Sequence, residues 1–357
     1  MMRSLETPRS PHYFLGANTA RGFYSLYSEL ADPEAGDRVW YIKGGPGNGK
    51  STFMRRVADA AAAAGRTVER FPCSGDPDSL DAVYIREDRT AYVDATAPHI
   101  QEPALPGAGG RYLDLSAFYR PGLEKERREI QRCFRRYREQ YTRCYDLLRA
   151  AELCAPDRIP GLTGSTVRAG VRRRAAALAA AEVGRETAFS ARRRFLSALT
   201  CRGWIFFRET IPDSWRVFVL ESRVGLADVF LQELVSRCRE LECRILACPD
   251  PVTPEKLQAV LIPGQETAFV ASDPELPPLS REYSRLHLDA RIDADALRGN
   301  DEILQRAERL RSLLFPEARF ALSEAKRIHD ELESLYRPWL DTDGLDALCE
   351  KHLEKYM

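Results

Sequence analysis

The sequence predicts an α/β protein of two tandem units, the second a degenerate copy of the first, each carrying a helical appendage. Three observations predict it. A strand-like run, Val39 to Lys43, enters a glycine-rich loop and then an amphipathic helix pattern. Four blocks of the first half recur in the same order in the second. Charged stretches of helical periodicity follow each α/β block.

The first unit, residues 1–192, holds the most informative stretch. Gly44, Gly45, Pro46, Gly47, Asn48, Gly49, Lys50 and Ser51, followed by Thr52, fit G-x-x-x-x-G-K-[ST]. Phe53, Val57, Ala60, Ala61 and Ala64 then fall on one helix face, and Gly65 can close the helix. The glycines let the backbone curl and aim successive N–H groups at anionic oxygens. The helix start adds the positive end of its dipole. Lys50 is expected to reach the β- and γ-phosphates, and the Ser51 hydroxyl to bind Mg²⁺. This context makes the unit P-loop NTPase-like, with ATP as the expected ligand and Gly44 to Thr52 as the residues that hold it.

The other elements follow in order. Residues 12–30 read as an apolar segment, a turn at Arg21-Gly22 and a helix-like stretch, and residues 31–37 as a loop. Thr67 to Phe71 is a predicted strand leading to a turn over Cys73 to Asp78. Ala82–Arg86 and Thr90–Asp94 are predicted as a hairpin, and Arg111–Leu115 as a further strand. Ala91-Tyr92-Val93-Asp94 has the form of a strand ending in a Mg²⁺-orienting carboxylate. Lys50 and Asp94 are therefore the candidate catalytic residues, and Ser51 and Asp94 the candidate metal ligands. Ala95 follows Asp94, where many ATP-hydrolysing P-loop enzymes carry glutamate. Asp76, Asp78, Thr96 and His99 are candidates for positioning water, although turn or capping roles also account for each.

Residues 121–153 form a helix pattern with Leu123, Ile130, Phe134, Tyr137, Tyr141, Cys144 and Leu148 as its buried stripe. A second helix is expected over 167–192, and the two suggest a helical hairpin projecting from the α/β core. The second unit, residues 193–357, then repeats the first. FLGANTARGF from Phe14 matches FLSALTCRGW from Phe195, and RVWYI from Arg38 matches RVFVL from Arg216. LDAVYI from Leu80 matches LQAVLI from Leu257, and TAYVDATA from Thr90 matches TAFVASDP from Thr267. Carrying the strand offset of 178 residues into the loop sets Ser222 against Gly44, Arg223 against Gly45, Ala227 against Gly49, Asp228 against Lys50 and Val229 against Ser51. Ala271 faces Asp94 at offset 177, so every charged group of the first site is lost. Leu231, Leu234, Val235, Cys238 and Leu241 keep the helix stripe. Arg223 suggests an arginine finger toward the first site, against the plainer reading of a solvated loop residue.

GGPGNGKST, CSGDPDSLDAV, YVDATAPH and the late helix Ala325 to Tyr336 together resemble an uncharacterised bacterial family of tandem P-loop ATPases. The resemblance covers nearly the whole chain and implies ATP binding at Gly44–Thr52 with Mg²⁺ on Ser51 and Asp94. It implies no substrate.

Fifty-three basic residues balance 53 acidic ones, which argues against nucleic acid or an anionic membrane as partner. No apolar run approaches the roughly 20 residues of a membrane span, and the first residues lack a secretory apolar core. Nine scattered cysteines without a C-x-x-C pair read as reduced thiols of a cytoplasmic protein. The basic runs at 125–138 and 168–174 read as solvated helix faces, and His329-Asp330 as part of an exposed polar face. The expected activity is Mg²⁺-dependent ATP hydrolysis at one N-terminal site. A small-molecule kinase using residues 73–81 for its acceptor is the second reading, and a nucleotide-gated interaction protein the third. A protein partner or a homo-oligomer is left open.

Overall fold

The computed structural model describes residues 11–97, 100–273 and 283–356. The architecture is mixed α/β. The chain begins with the hairpin β1 (Gly16–Thr19) and β2 (Gly22–Ser25), then β3 (Arg38–Lys43), α1 (Lys50–Ala63), β4 (Val68–Pro72), β5 (Leu80–Ile85), β6 (Thr90–Asp94) and β7 (Gly110–Asp114). Helices α2 (Arg127–Leu153) and α3 (Ser165–Glu182) come next. The strands resume with β8 (Ser190–Arg193), the hairpin β9 (Ser197–Thr200) and β10 (Gly203–Phe206), and β11 (Arg216–Glu221). They are followed by α4 (Leu226–Glu240), β12 (Arg244–Pro249), β13 (Leu257–Ile262), β14 (Thr267–Ala271) and β15 (Ser284–His287). Helices α5 (Ala294–Gly299), α6 (Asp301–Tyr336) and α7 (Thr342–Leu353) close the chain.

Two larger sheets dominate. The first runs β4-β5-β6-β3-β7, with β3 parallel to β6 and β7 and β5 antiparallel to both its neighbours. The second runs β8-β12-β13-β14-β11-β15, with β11 parallel to β14 and β15 and β13 antiparallel to β12 and β14. Side-chain alternation explains the layering. Val39, Tyr41, Ala82, Tyr84, Ala91 and Val93 of the first sheet share one core with Val217, Val219, Leu261 and Val270 of the second. The alternate residues point to the opposite face of each sheet. Ile42, Val83, Ile85 and Tyr92 pack under α1 and α7, and Phe218, Leu220, Val260 and Phe269 under α4 and α3.

Two expectations are corrected. The helix-like stretch after Gly22 is β2 followed by a short 3-10 turn over Tyr27–Glu29. Gly22, at φ 93°, closes a tight turn in which the Thr19 hydroxyl donates to the Gly22 carbonyl at 2.8 Å, so Phe23 and Tyr24 pair across a hairpin instead of winding. The helical hairpin does not form either. Helix α2 runs antiparallel to α6: Cys133 packs with Ile328 and Leu332, and Cys144 and Leu148 with Phe315 and Leu322. Helix α3 lies on α4, where Val171, Ala175 and Ala179 are buried. Each sheet is thus covered in part by helices from the other half of the chain, and the 192/193 boundary falls inside β8, which pairs with β12.

Candidate functional site

Strand β3 delivers the chain to the loop at its C-terminal end, and β6 lies beside it in parallel with Ile42 opposite Asp94. The crevice beyond the ends of such strands is where open α/β sheets bind ligands. Helix α1 starts at Lys50 behind Gly49, whose φ of 85° calls for glycine, and ends before Gly65 at φ 77°. Phe53, Met54, Val57, Ala58 and Ala61 anchor it to the sheet. Met54 and Ala58 join the predicted stripe, while Ala64 is exposed.

The loop is closely folded. A methyl group at Gly44 would stand 1.6 Å from Asn48 Nδ2, and one at Gly45 2.6 Å from the Tyr119 hydroxyl. Asn48 is buried, and its Nδ2 has no hydrogen-bond partner among the described residues. Lys50 Nζ donates to the carbonyls of Gly44 at 3.0 Å and Gly45 at 2.8 Å, and lies 3.4 Å from Asn48 Oδ1. Its nearest counter-charge is Asp94 Oδ2 at 3.7 Å, and both side chains are largely shielded, at 12% and 15% exposure. Asp94 Oδ1 accepts from the Thr96 N–H at 2.9 Å and from the Thr96 hydroxyl. The Ser51 hydroxyl accepts from the Leu80 N–H at 2.8 Å, which ties the helix start to β5.

The structure therefore brings Gly44 to Thr52 and Asp94 together. The donor set fits a polyphosphate: a lysine held by neutral carbonyls and a helix N-terminus, entered through glycines at φ 66° and 85°. Ser51 and Asp94 are the residues that would hold Mg²⁺. Of the water-positioning candidates, Thr96 is spent on Asp94, and Asp78 pairs with Arg202. Asp76 lies 3.4 Å from Lys326 Nζ. His99 lies outside the described residues.

Sequence reasoning missed a whole wall of the site. The chain after α6 is clipped beside the loop by hydrogen bonds from Arg120 N–H to the Trp339 carbonyl and from Asp341 N–H to the Phe118 carbonyl, at 2.6 and 2.8 Å. A methyl at Gly47, where φ is 66°, would meet Glu333 Cβ at 3.1 Å and its Cα at 3.3 Å. Tyr336 Cε1 would lie 3.1 Å from one at Gly45. Burial raises the Tyr119 and Tyr336 hydroxyls above the ordinary tyrosine range. His329 lies against the Tyr137 ring and is only partly exposed, and desolvation lowers its pKa. The available signal was the i, i+3, i+7 spacing of Lys326, His329 and Glu333 within one helix.

The corresponding turn of the second sheet differs in register from the sequence alignment. Asp228 Oδ1 accepts from the Leu257 N–H at 2.9 Å, the bond that Ser51 makes with Leu80. Asp228 thus takes the place of Ser51, and Ala227 that of Lys50, because one residue fewer separates the end of β11 from Asp228 than separates the end of β3 from Ser51. A methyl at Gly225 would stand 2.6 Å from Asp157 Cβ, and Asp157 pairs with Lys256. Arg223 is no arginine finger. It binds Asp301 at 2.9 Å and Glu308 at 3.1 Å, near the start of α6, while the first loop is met by Glu333. At 1.5 Å per residue Glu308 and Asp301 lie about 38 and 48 Å from Glu333 along the helix.

No protein-family model, no curated protein and no solved structure matches the chain. No helix among the described residues is long and apolar enough to cross a membrane.

Proposed function

We propose that the chain is a P-loop nucleoside triphosphatase: a Mg²⁺-dependent ATPase of two tandem P-loop-like units, with one working site at Gly44–Thr52 and a degenerate second unit. The observation that carries this reading is Lys50, held on the Gly44 and Gly45 carbonyls 3.7 Å from Asp94. A cation bound by neutral acceptors, with a lone carboxylate nearby, keeps its charge available to an anion. The shared strand order of the two sheets and the equivalent bonds of Ser51 and Asp228 support a tandem origin. The kinship read from the motifs, an uncharacterised bacterial tandem P-loop ATPase family, belongs to the same proposal.

In this reading the loop N–H groups orient the phosphates and Lys50 neutralises charge developing on the β–γ bridge. Asp94, braced by Thr96, orients the metal site. Mg²⁺, when bound, would draw charge from the phosphate oxygens. Lys50→Ala should abolish ATP turnover while the circular dichroism spectrum stays native. Normal turnover in the folded variant would refute the site.

A nucleotide-gated interaction protein is a second reading, favoured by α6 itself. That helix touches the second turn at its start and the first loop at its end. Tight ATP binding with negligible turnover would support this reading over the ATPase.

A further inference from the structure

We propose that Glu333, on the last turn of α6, is the general base of the first site, with His329 as its positioning partner. The inference rests on the reading that Gly44–Thr52 holds a nucleoside triphosphate. The need for such a group is local. Ala95, directly after Asp94, offers no proton acceptor and is 1% exposed. Thr96 donates to Asp94, Asp78 is paired with Arg202, and Asp76 faces Lys326. Glu333 differs from these carboxylates: its one ion-pair partner among the described residues is a histidine, with His329 Nδ1 3.6 Å from its Oε1.

Position supports the role. Glu333 Cα and Cβ stand against Gly47, so its carboxylate is rooted on the wall of the loop. Seven residues earlier, Lys326 meets Asp76, in the segment that leads to Leu80 and its bond to Ser51. This face of α6 therefore spans about 10 Å, from Gly47 at one end to Asp76 at the other. Glu333, Asp330, Asp76, Lys326 and the Tyr137 ring surround His329. Desolvation favours its neutral form, which can accept a proton from Glu333 or hold the carboxylate in place.

The step balances without a further reactant. Water oxygen attacks the γ-phosphorus as one water proton passes to the Glu333 carboxylate. The bond from the γ-phosphorus to the β–γ bridging oxygen breaks, and its electron pair leaves with the nucleoside diphosphate. The proton is later released to solvent, and inorganic phosphate is the second product.

The test uses the full chain with Glu333→Gln, Glu333→Asp and His329→Asn. Phosphate release at saturating MgATP gives kcat, a fluorescent ATP analogue gives affinity, and NMR of the apo protein follows the His329 titration. Glu333→Gln should lower kcat by about 10²-fold or more while analogue affinity is kept, and Glu333→Asp should restore part of the rate. In the apo protein Glu333→Gln should move the His329 pKa further down, because the carboxylate favours the imidazolium. An unchanged kcat in Glu333→Gln would overturn the inference while leaving the nucleotide site intact. Tighter binding with faster turnover would overturn it as well, by making Glu333 an anionic plug on the loop. Failure of the unaltered chain to bind the analogue would remove both this inference and the nucleotide reading.

Discussion

Gly47→Ala tests whether α6 presses on the loop. Gly47 has φ 66°, where a residue with a Cβ costs roughly 1–2 kcal/mol. The new methyl would also stand 3.1 Å from Glu333 Cβ and 3.3 Å from its Cα, inside the ~3.5–4.0 Å of favourable carbon contact. The Cα belongs to a helix backbone and cannot rotate away, so α6 or the loop must withdraw by a few tenths of an ångström. Together the two effects should cost about 2–3 kcal/mol. Urea unfolding followed by circular dichroism measures it directly. Glu333→Ala retains the two atoms nearest the new methyl and should rescue little of the loss. Unchanged stability in Gly47→Ala, or full rescue by Glu333→Ala, would refute the contact and the wall it builds.

Asp94→Asn should reduce Mg²⁺-dependent turnover more than analogue affinity, since the carboxylate acts through the metal; equal turnover at all Mg²⁺ concentrations would exclude that role. Glu152 is buried at 4% exposure and accepts from Arg21 at 2.6 and 2.9 Å and from Arg158 at 3.0 Å. The hydrogen bonds from Arg21 lead in holding its carboxyl below the ordinary range. Its contribution is therefore full above the unfolded pKa of roughly 4.3 and is lost as pH falls through the folded value. Glu152→Gln should cost about 1–2 kcal/mol at pH 7, less than a fully buried pair because both arginines are half exposed, and less still at pH 3. A pH-independent cost would contradict this.

The first strand, loop and helix were legible because three periodicities met there: an apolar run, fixed glycines and a helical stripe. The hairpin Leu80–Ile85 and Thr90–Asp94 was legible for the same reason, since its burial is continuous and its turn polar. Phe23 and Tyr24 were read at the wrong period because four-residue strands are too short to declare one. The exchange of α3 and α7 between sheets left no trace in the sequence. An apolar face states that it must be buried, and not against what. Asp228 is one position out for a related reason: the offset falls from 178 to 177 between the strand and Asp94, but the sequence does not say where until the bond from the Leu257 N–H to Asp228 fixes the register. Glu333 was hidden by distance along the chain, with nothing in the run from Ala325 to Tyr336 to say that it ends beside Gly47.

The central claim, one nucleotide site per chain built on Lys50, is tested most directly by calorimetric titration with a non-hydrolysable ATP analogue in the presence of Mg²⁺. The account expects a stoichiometry of one for the unaltered chain and no binding by Lys50→Ala. The second turn should stay silent, with Asp228 and Ala227 where Ser51 and Lys50 would be needed and Asp157 packed against Gly225. Two sites per chain, a site that survives Lys50→Ala, or no binding at all would contradict it.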